Sequence, residues 1–88
     1  TLKLPGGYMY KIEVLVHLKP DILDPQGKTV QNSLSKLGFK DVKSVRVGKS
    51  IELEIEAGSQ DEAVKIATEM AGKLLSNPVM EVFAVRPK

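Results

Sequence analysis

Tyr10-Lys11-Ile12-Glu13-Val14-Leu15-Val16-His17-Leu18 alternates with a period of two. Tyr10, Ile12, Val14, Val16 and Leu18 share one face; Lys11, Glu13, Leu15 and His17 share the other. A helix would repeat at about 3.6 residues, so this stretch is a β-strand with one face turned to a core. Leu15 makes the second face only partly polar, and that face is expected to be partly covered.

The elements on its C-terminal side follow from local chemistry. Lys19-Pro20-Asp21 ends the strand. Asp24 can accept hydrogen bonds from the free amides of a helical first turn, and Pro25 suits the first helical position, which has no amide partner to lose. Val30, Leu34 and Leu37 form one apolar stripe, and Gly38 supplies the left-handed stop. The helix is expected over 25–37. A short strand over 42–47 and a longer one over 50–57 follow. In the longer one Ile51, Leu53, Ile55 and Ala57 alternate with Glu52, Glu54 and Glu56, with Lys43 and Arg46 expected within reach on the neighbouring strand. Ser59-Gln60-Asp61-Glu62 is a capping box opening a second helix over 60–75. Its buried stripe reads Ala63, Ile66, Ala67, Met70 and Leu74. Gly72 is either tolerated there or admits a close backbone. Asn77-Pro78 stops that helix before a last strand over 79–85.

The order β-α-β-β-α-β with right-handed crossovers predicts an α+β, two-layer ferredoxin-like fold. Its sheet would be four-stranded and antiparallel, in order 4-1-3-2, with two helices on one face. Two registers are open for the middle hairpin. A two-residue turn at Gly48-Lys49 pairs Arg46 with Ile51. A three-residue connection, Gly48 to Ser50, pairs Val47 with Ile51, Val45 with Leu53 and Arg46 with Glu52. The second is favoured because it gathers the apolar side chains on one face. Residues 1–8, with Pro5-Gly6-Gly7, show no clear period. They read as an extension, of a kind expression can add, ahead of a single domain over 9–88.

Composition excludes several function classes. The chain has 88 residues, one domain's worth. It has no cysteine, which removes disulfides, thiolate metal sites and thiol nucleophiles. Its one histidine, His17, lies mid-strand, where a surface or packed role is expected over catalysis or metal binding. Glu52, Glu54 and Glu56 stand ~7 Å apart along one strand face and read as a solvated row. Neither Asp24-Pro25-Gln26-Gly27-Lys28-Thr29 nor Val47-Gly48-Lys49-Ser50 is a phosphate loop: the first lacks the leading glycine and the second joins two strands. Net charge is +2, divided as +5 over residues 1–50 and −3 over 51–88. The two central strands present acidic, aromatic-poor positions, which argues against nucleic acid. No apolar run spans a membrane and no signal peptide appears, so the expected location is the cytoplasm.

Three strings, in order, carry a family likeness. Leu23-Asp24-Pro25-Gln26-Gly27 leads into Val30-Gln31 and Leu34. Val45-Arg46-Val47-Gly48-Lys49 precedes Ile51-Glu52-Leu53. Leu74-Leu75-Ser76-Asn77-Pro78-Val79 closes the series. Together they resemble the PurS family, small subunits of phosphoribosylformylglycinamidine synthase, over about Met9 to Val85. The resemblance implies a non-catalytic subunit that bridges a glutaminase and a large synthetase and assists ammonia transfer in purine biosynthesis. It implies no cofactor on this subunit, with ATP and Mg used by the large partner. It marks Asp24, Pro25, Gly27, Arg46, Gly48, Lys49, Asn77 and Pro78 as structural or docking positions, with no catalytic or metal residue. A ferredoxin-like module sensing a small molecule is the alternative.

The last strand adds a further expectation. Met80, Val82 and Ala84 alternate with Phe83 and Val85. One set covers the helices, and Phe83 and Val85 are expected to stand exposed beside Leu15 near a sheet edge. Such a surface is normally covered. A homodimer or higher homo-oligomer is therefore expected, with Leu15, Val82, Phe83 and Val85 at its interface.

Overall fold

A computed structural model describes residues 3–88, with side chains from Pro5 onward. Its elements are β1 (Lys3–Leu4), β2 (Gly7–Leu18), α1 (Pro25–Lys36), β3 (Lys49–Ala57), α2 (Gln60–Met70) and β4 (Glu81–Pro87); α2 runs on into a wider π-helical turn, Ala71–Leu75. β2 is the central strand. β3 lies antiparallel along one edge, from Tyr8 opposite Ala57 to Val16 opposite Lys49. β4 lies antiparallel along the other, from Ile12 opposite Pro87 to Leu18 opposite Glu81. β1 pairs Lys3 with Tyr8, on the β4 edge, and so draws part of the expected extension into the sheet. β2 begins at Gly7 rather than Tyr10. Gly7 holds φ +135°, and a Cβ there would stand 2.3 Å from the carbonyl oxygen of Ala57, so glycine is required.

The alternation of β2 decides the core. Ile12 and Val14 are fully buried and Val16 is 1% exposed. Across from them α2 presents Ala63, Ala67 and Ala71, all fully buried. These lie at i, i+4 and i+8, one stripe of a helix, and their small side chains let it sit close on the sheet. Ser59 caps α2 as expected, its Oγ accepting from the Glu62 N–H at 3.1 Å. The expected stripe holds at Ala63, Ile66 and Ala67 and then slips: Met70 and Leu74 face outward, 41% and 83% exposed, and Ala71 and Leu75 pack in their place.

Two expectations about the first half are corrected. Residues 42–47 form no strand, so neither hairpin register exists and β3 pairs only with β2 among the described residues. The partners of that segment are elsewhere. The Val47 N–H donates to Asp24 Oδ2 at 2.7 Å, and Gln31 Nε2 donates to the Lys43 carbonyl at 3.0 Å. The sheet is therefore β4-β2-β3, the expected order without its outermost strand, and the small β1 pairs with the start of β2.

The second correction concerns α1. It forms where expected, with Asp24 at the cap and Pro25 in its first turn, and Gly38, at φ +103°, follows its end. It does not lie on the sheet beside α2: none of the residues packed into the core comes from it. α1 instead travels outward with residues 37–48. The molecule measures 54 × 27 × 14 Å and its radius of gyration is 17.1 Å. A compact chain of this length has a radius of about 12 Å.

Candidate docking site at the end of the central strand

Most of the residues singled out by the family likeness gather where β2 ends. Asp24 is 6% exposed. Its Oδ1 accepts from the Gly27 N–H at 2.9 Å while Oδ2 accepts from the Val47 N–H at 2.7 Å. One carboxylate thus caps α1 and pins the returning chain. Gly27 completes the joint, since a Cβ there would meet the Val45 carbonyl oxygen at 2.2 Å. Arg46 donates from Nη1 to the Ile22 carbonyl at 3.1 Å and from Nη2 to the Lys19 carbonyl at 2.9 Å. Gly48 passes close to β2, where a Cβ would lie 2.8 Å from the Val16 carbonyl oxygen. Lys49 opens β3 and is exposed.

Asn77 and Pro78 lie in the turn before β4. Asn77 Oδ1 accepts from the Val79 N–H at 3.0 Å, and the Asn77 N–H donates to Glu81 Oε1 at 2.6 Å. This turn is tied to the first group through Lys19, whose N–H donates to the Met80 carbonyl at 2.8 Å. A groove of about 220 Å³ separates Asp24, Gln26, Gly48 and Lys49 from Glu81. A shallower opening of about 360 Å³ lies beside Lys19, Gly72, Pro78 and Phe83. Both carboxylate oxygens of Asp24 are engaged by amides, and no nucleophile–base pair lines either space. The arrangement fixes the shape of a surface.

The outer sheet face, opposite α2, carries a network that sequence reasoning missed. Glu13 is 9% exposed, accepts from Ser50 Oγ and from Arg86 Nε, each at 2.6 Å, and forms an ion pair with Arg86, whose Nη2 lies 2.6 Å from its Oε1. Glu52 pairs with Lys88, and Glu56 accepts from the Gly6 N–H at 2.9 Å. Lys43 and Arg46 are not the neighbours of these glutamates, because residues 42–47 lie away from β3. Only the register of β4 on β2, which sets Glu13 opposite Arg86, could have revealed the network. His17 is exposed on the same face. No cluster of three metal-ligating side chains occurs among the described residues.

The four expected interface residues divide between the two faces. Leu15 and Val82 face outward, Leu15 half-buried and Val82 46% exposed. Phe83 and Val85 face inward, against the expectation, and pack half-buried on Val14, Val16 and Ala71.

Two carboxyls give the fold an acid-sensitive margin. The Ser50 hydroxyl, then Arg86, hold the Glu13 carboxyl below its ordinary range. The amides of Gly27 and Val47 do the same for Asp24, assisted by Arg46. Each group binds its proton less readily folded than unfolded, so stability rises with pH through the acid range. The contribution is full above the ordinary carboxyl values near ~4 and is lost as pH falls through the lowered folded ones. Glu13→Gln and Asp24→Asn should each flatten the acid limb of urea-denaturation stability against pH. An unchanged limb in both would remove these groups from the account.

A family model described as PurS, phosphoribosylformylglycinamidine (FGAM) synthase, matches residues 11–88. The phosphoribosylformylglycinamidine synthase subunit PurS of Bacillus subtilis (strain 168) is 47% identical over 75 residues, 85% of this chain and 88% of that protein. The crystal structure of the Thermotoga maritima PurS subunit superposes with a TM-score of 0.86 at 34% identity, covering 92% of this chain and 93% of that one. A chain in the structure of PurLQS from Thermotoga maritima superposes with a TM-score of 0.85 at 34% identity, covering 92% and 99%.

Proposed function

The chain belongs to the PurS family of phosphoribosylformylglycinamidine synthase subunits in purine biosynthesis, and from that premise we propose that it is the synthase's non-catalytic assembly subunit. It bridges a glutaminase, which releases ammonia from glutamine, and a large synthetase. The synthetase uses ATP, Mg and that ammonia to convert formylglycinamide ribonucleotide to the amidine. This subunit holds no cofactor of its own and works in the cytoplasm. No helix among the described residues is long and apolar enough to cross a membrane.

The observation that carries the reading is the near-complete match to a chain of the PurLQS structure, at 92% of this chain and 99% of that one. The side chains support it. There is no cysteine, and the residues at the end of β2 spend their polar groups on holding main chain. A groove lined by Gln26, Lys49 and Glu81, with Pro78 on the turn nearby, offers a shaped surface for a partner. Mixing the chain with the glutaminase and the synthetase in the presence of ADP or glutamine should give one co-eluting species. Separate elution under every nucleotide and glutamine condition, or a small metabolite that stabilises the isolated chain in a thermal shift assay, would favour a sensing module instead.

A further inference from the structure

The segment Lys19–Gly48 is an arm that leaves the body and returns to it, and α1 within it adds nothing to the core. Its direction is therefore set at its root, where an outgoing limb, Lys19 to Asp24, meets a returning limb, Val45 to Gly48. The two limbs are sewn together. The Val45 carbonyl lies against Gly27, which has no side chain to hold it off, and Gly48 lies in the same way against the Val16 carbonyl. The Val47 N–H donates to Asp24 Oδ2 at 2.7 Å. Arg46 spans the junction, donating from Nη2 to the Lys19 carbonyl and from Nη1 to the Ile22 carbonyl. Lys19 belongs to the body, since its N–H donates to the Met80 carbonyl just before β4. Ile22 opens the arm, and its own N–H closes a turn on the same Lys19 carbonyl at 2.9 Å. One guanidinium thus grips the end of the body and the start of the arm at once.

We infer that Asp24 and Arg46 form a latch at the root of the arm, and that Arg46 is a positioning residue for ammonia transfer, acting by holding the arm in one direction. Asp24 has a local duty as well, because it caps α1 through the Gly27 N–H whether or not the returning limb is in place. Arg46 has no such local partner: its two acceptors are 24 and 27 residues away in the chain. Its charge also helps to hold the Asp24 carboxyl below the ordinary range, so the two halves of the latch support each other. All three side-chain bonds across the root involve a charged group, the stronger class of hydrogen bond. An arm hung on two loose limbs would have to be ordered at every docking event, at a cost in affinity. A latched arm meets that cost once, in folding. The positioning role rests on the assembly reading given above; the latch does not, and the two are tested apart.

The chain has no cysteine, so Asn32→Cys in α1 and Lys65→Cys in α2, both at exposed positions, create a unique pair of spin-label sites. Labelled chain diluted into unlabelled chain reports distances within one molecule only. With Arg46 intact the arm-to-body distance should be single and narrow. Arg46→Gln should broaden it severalfold while circular dichroism shows both helices and the sheet retained. Arg46→Lys should broaden it as well, because a lysine keeps the charge beside Asp24 but cannot hold two carbonyls in the fixed fork of a guanidinium. In a mixture with the glutaminase and the synthetase, Arg46→Gln should require ~10-fold more chain to reach half of the full glutamine-dependent rate, with the rate at saturation unchanged. An Arg46→Gln distance as narrow as the parent's would overturn the latch. So would a narrow distance in Arg46→Lys, which would leave charge alone as the cause. A broadened arm with unchanged half-saturation would overturn the positioning role. If omitting the chain altogether left the glutamine-dependent rate intact, the assembly reading would fail with that role, and the distance measurement would still decide the latch.

Discussion

Omitting this chain from a mixture of the glutaminase and the synthetase is expected to lower glutamine-dependent amidine formation by ~100-fold or more, the scale of a lost effective concentration. Ammonia released at neutral pH is mostly protonated, and it dilutes into solvent before it meets a second active site. Holding the two sites in one assembly replaces that encounter with a local one and needs no added chemistry. Ammonium supplied at high concentration should bypass the requirement, leaving the synthetase within severalfold of its full rate with or without this chain. His17→Ala should leave glutamine-dependent activity within severalfold, because His17 is exposed on the outer sheet face. A hundredfold loss in His17→Ala, with folding and assembly intact, would contradict the non-catalytic reading. Equal loss of both activities on omission would show that the chain acts on the synthetase itself.

The parts of the fold legible in the sequence are those whose cause is local. The alternation at Ile12, Val14 and Val16 dictates β2 wherever it sits. The Asp24-Pro25 and Ser59 caps fix where both helices start, and the structure places all three as read. Residues 42–47 failed because a strand and an irregular segment held by side chains can share the same composition. The difference lies in the Asp24 carboxylate and the Gln31 amide, 23 and 12 residues away from their partners. The α2 stripe was read correctly at Ala63, Ile66 and Ala67 and slipped by one position beyond them, because the large Met70 and Leu74 were given the core where the close approach of helix to sheet puts Ala71 and Leu75. The α1 stripe was read correctly as a stripe. What it packs against could not be read, since periodicity shows that a face needs cover and not which molecule supplies it. The group at the end of β2 was singled out through likeness to a family, and the double use of Asp24, on the Gly27 and Val47 amides, then explains why the strings around them come together.

Phe83→Asp should destabilise the fold itself, and its neighbour Val82→Asp should not. Phe83 stands opposite Val16 on the inner face of β4 and packs against Val14, Val16 and Ala71. Removing the ring strips one side of that cluster, and the new carboxylate would face apolar groups with Glu81 on the same side of the strand. A buried Phe→Ala change costs 3–5 kcal/mol, so a half-buried ring replaced by a charge should cost ~2–4 kcal/mol. In a domain with a total margin of roughly 5–15 kcal/mol this is a large share. It should lower Tm by ~8–30 °C for a chain of this length. Val82 points to the outer face, 46% exposed, opposite His17 and away from the cluster. Val82→Asp should change stability by less than ~0.5 kcal/mol, the range of ordinary surface substitutions. Thermal and urea unfolding of both variants at one protein concentration decides the matter, with concentration held fixed because association shifts apparent stability. If Val82→Asp proved the more damaging, β4 would present its other face to the core, and the Glu13–Arg86 pairing on the outer face would fall with it.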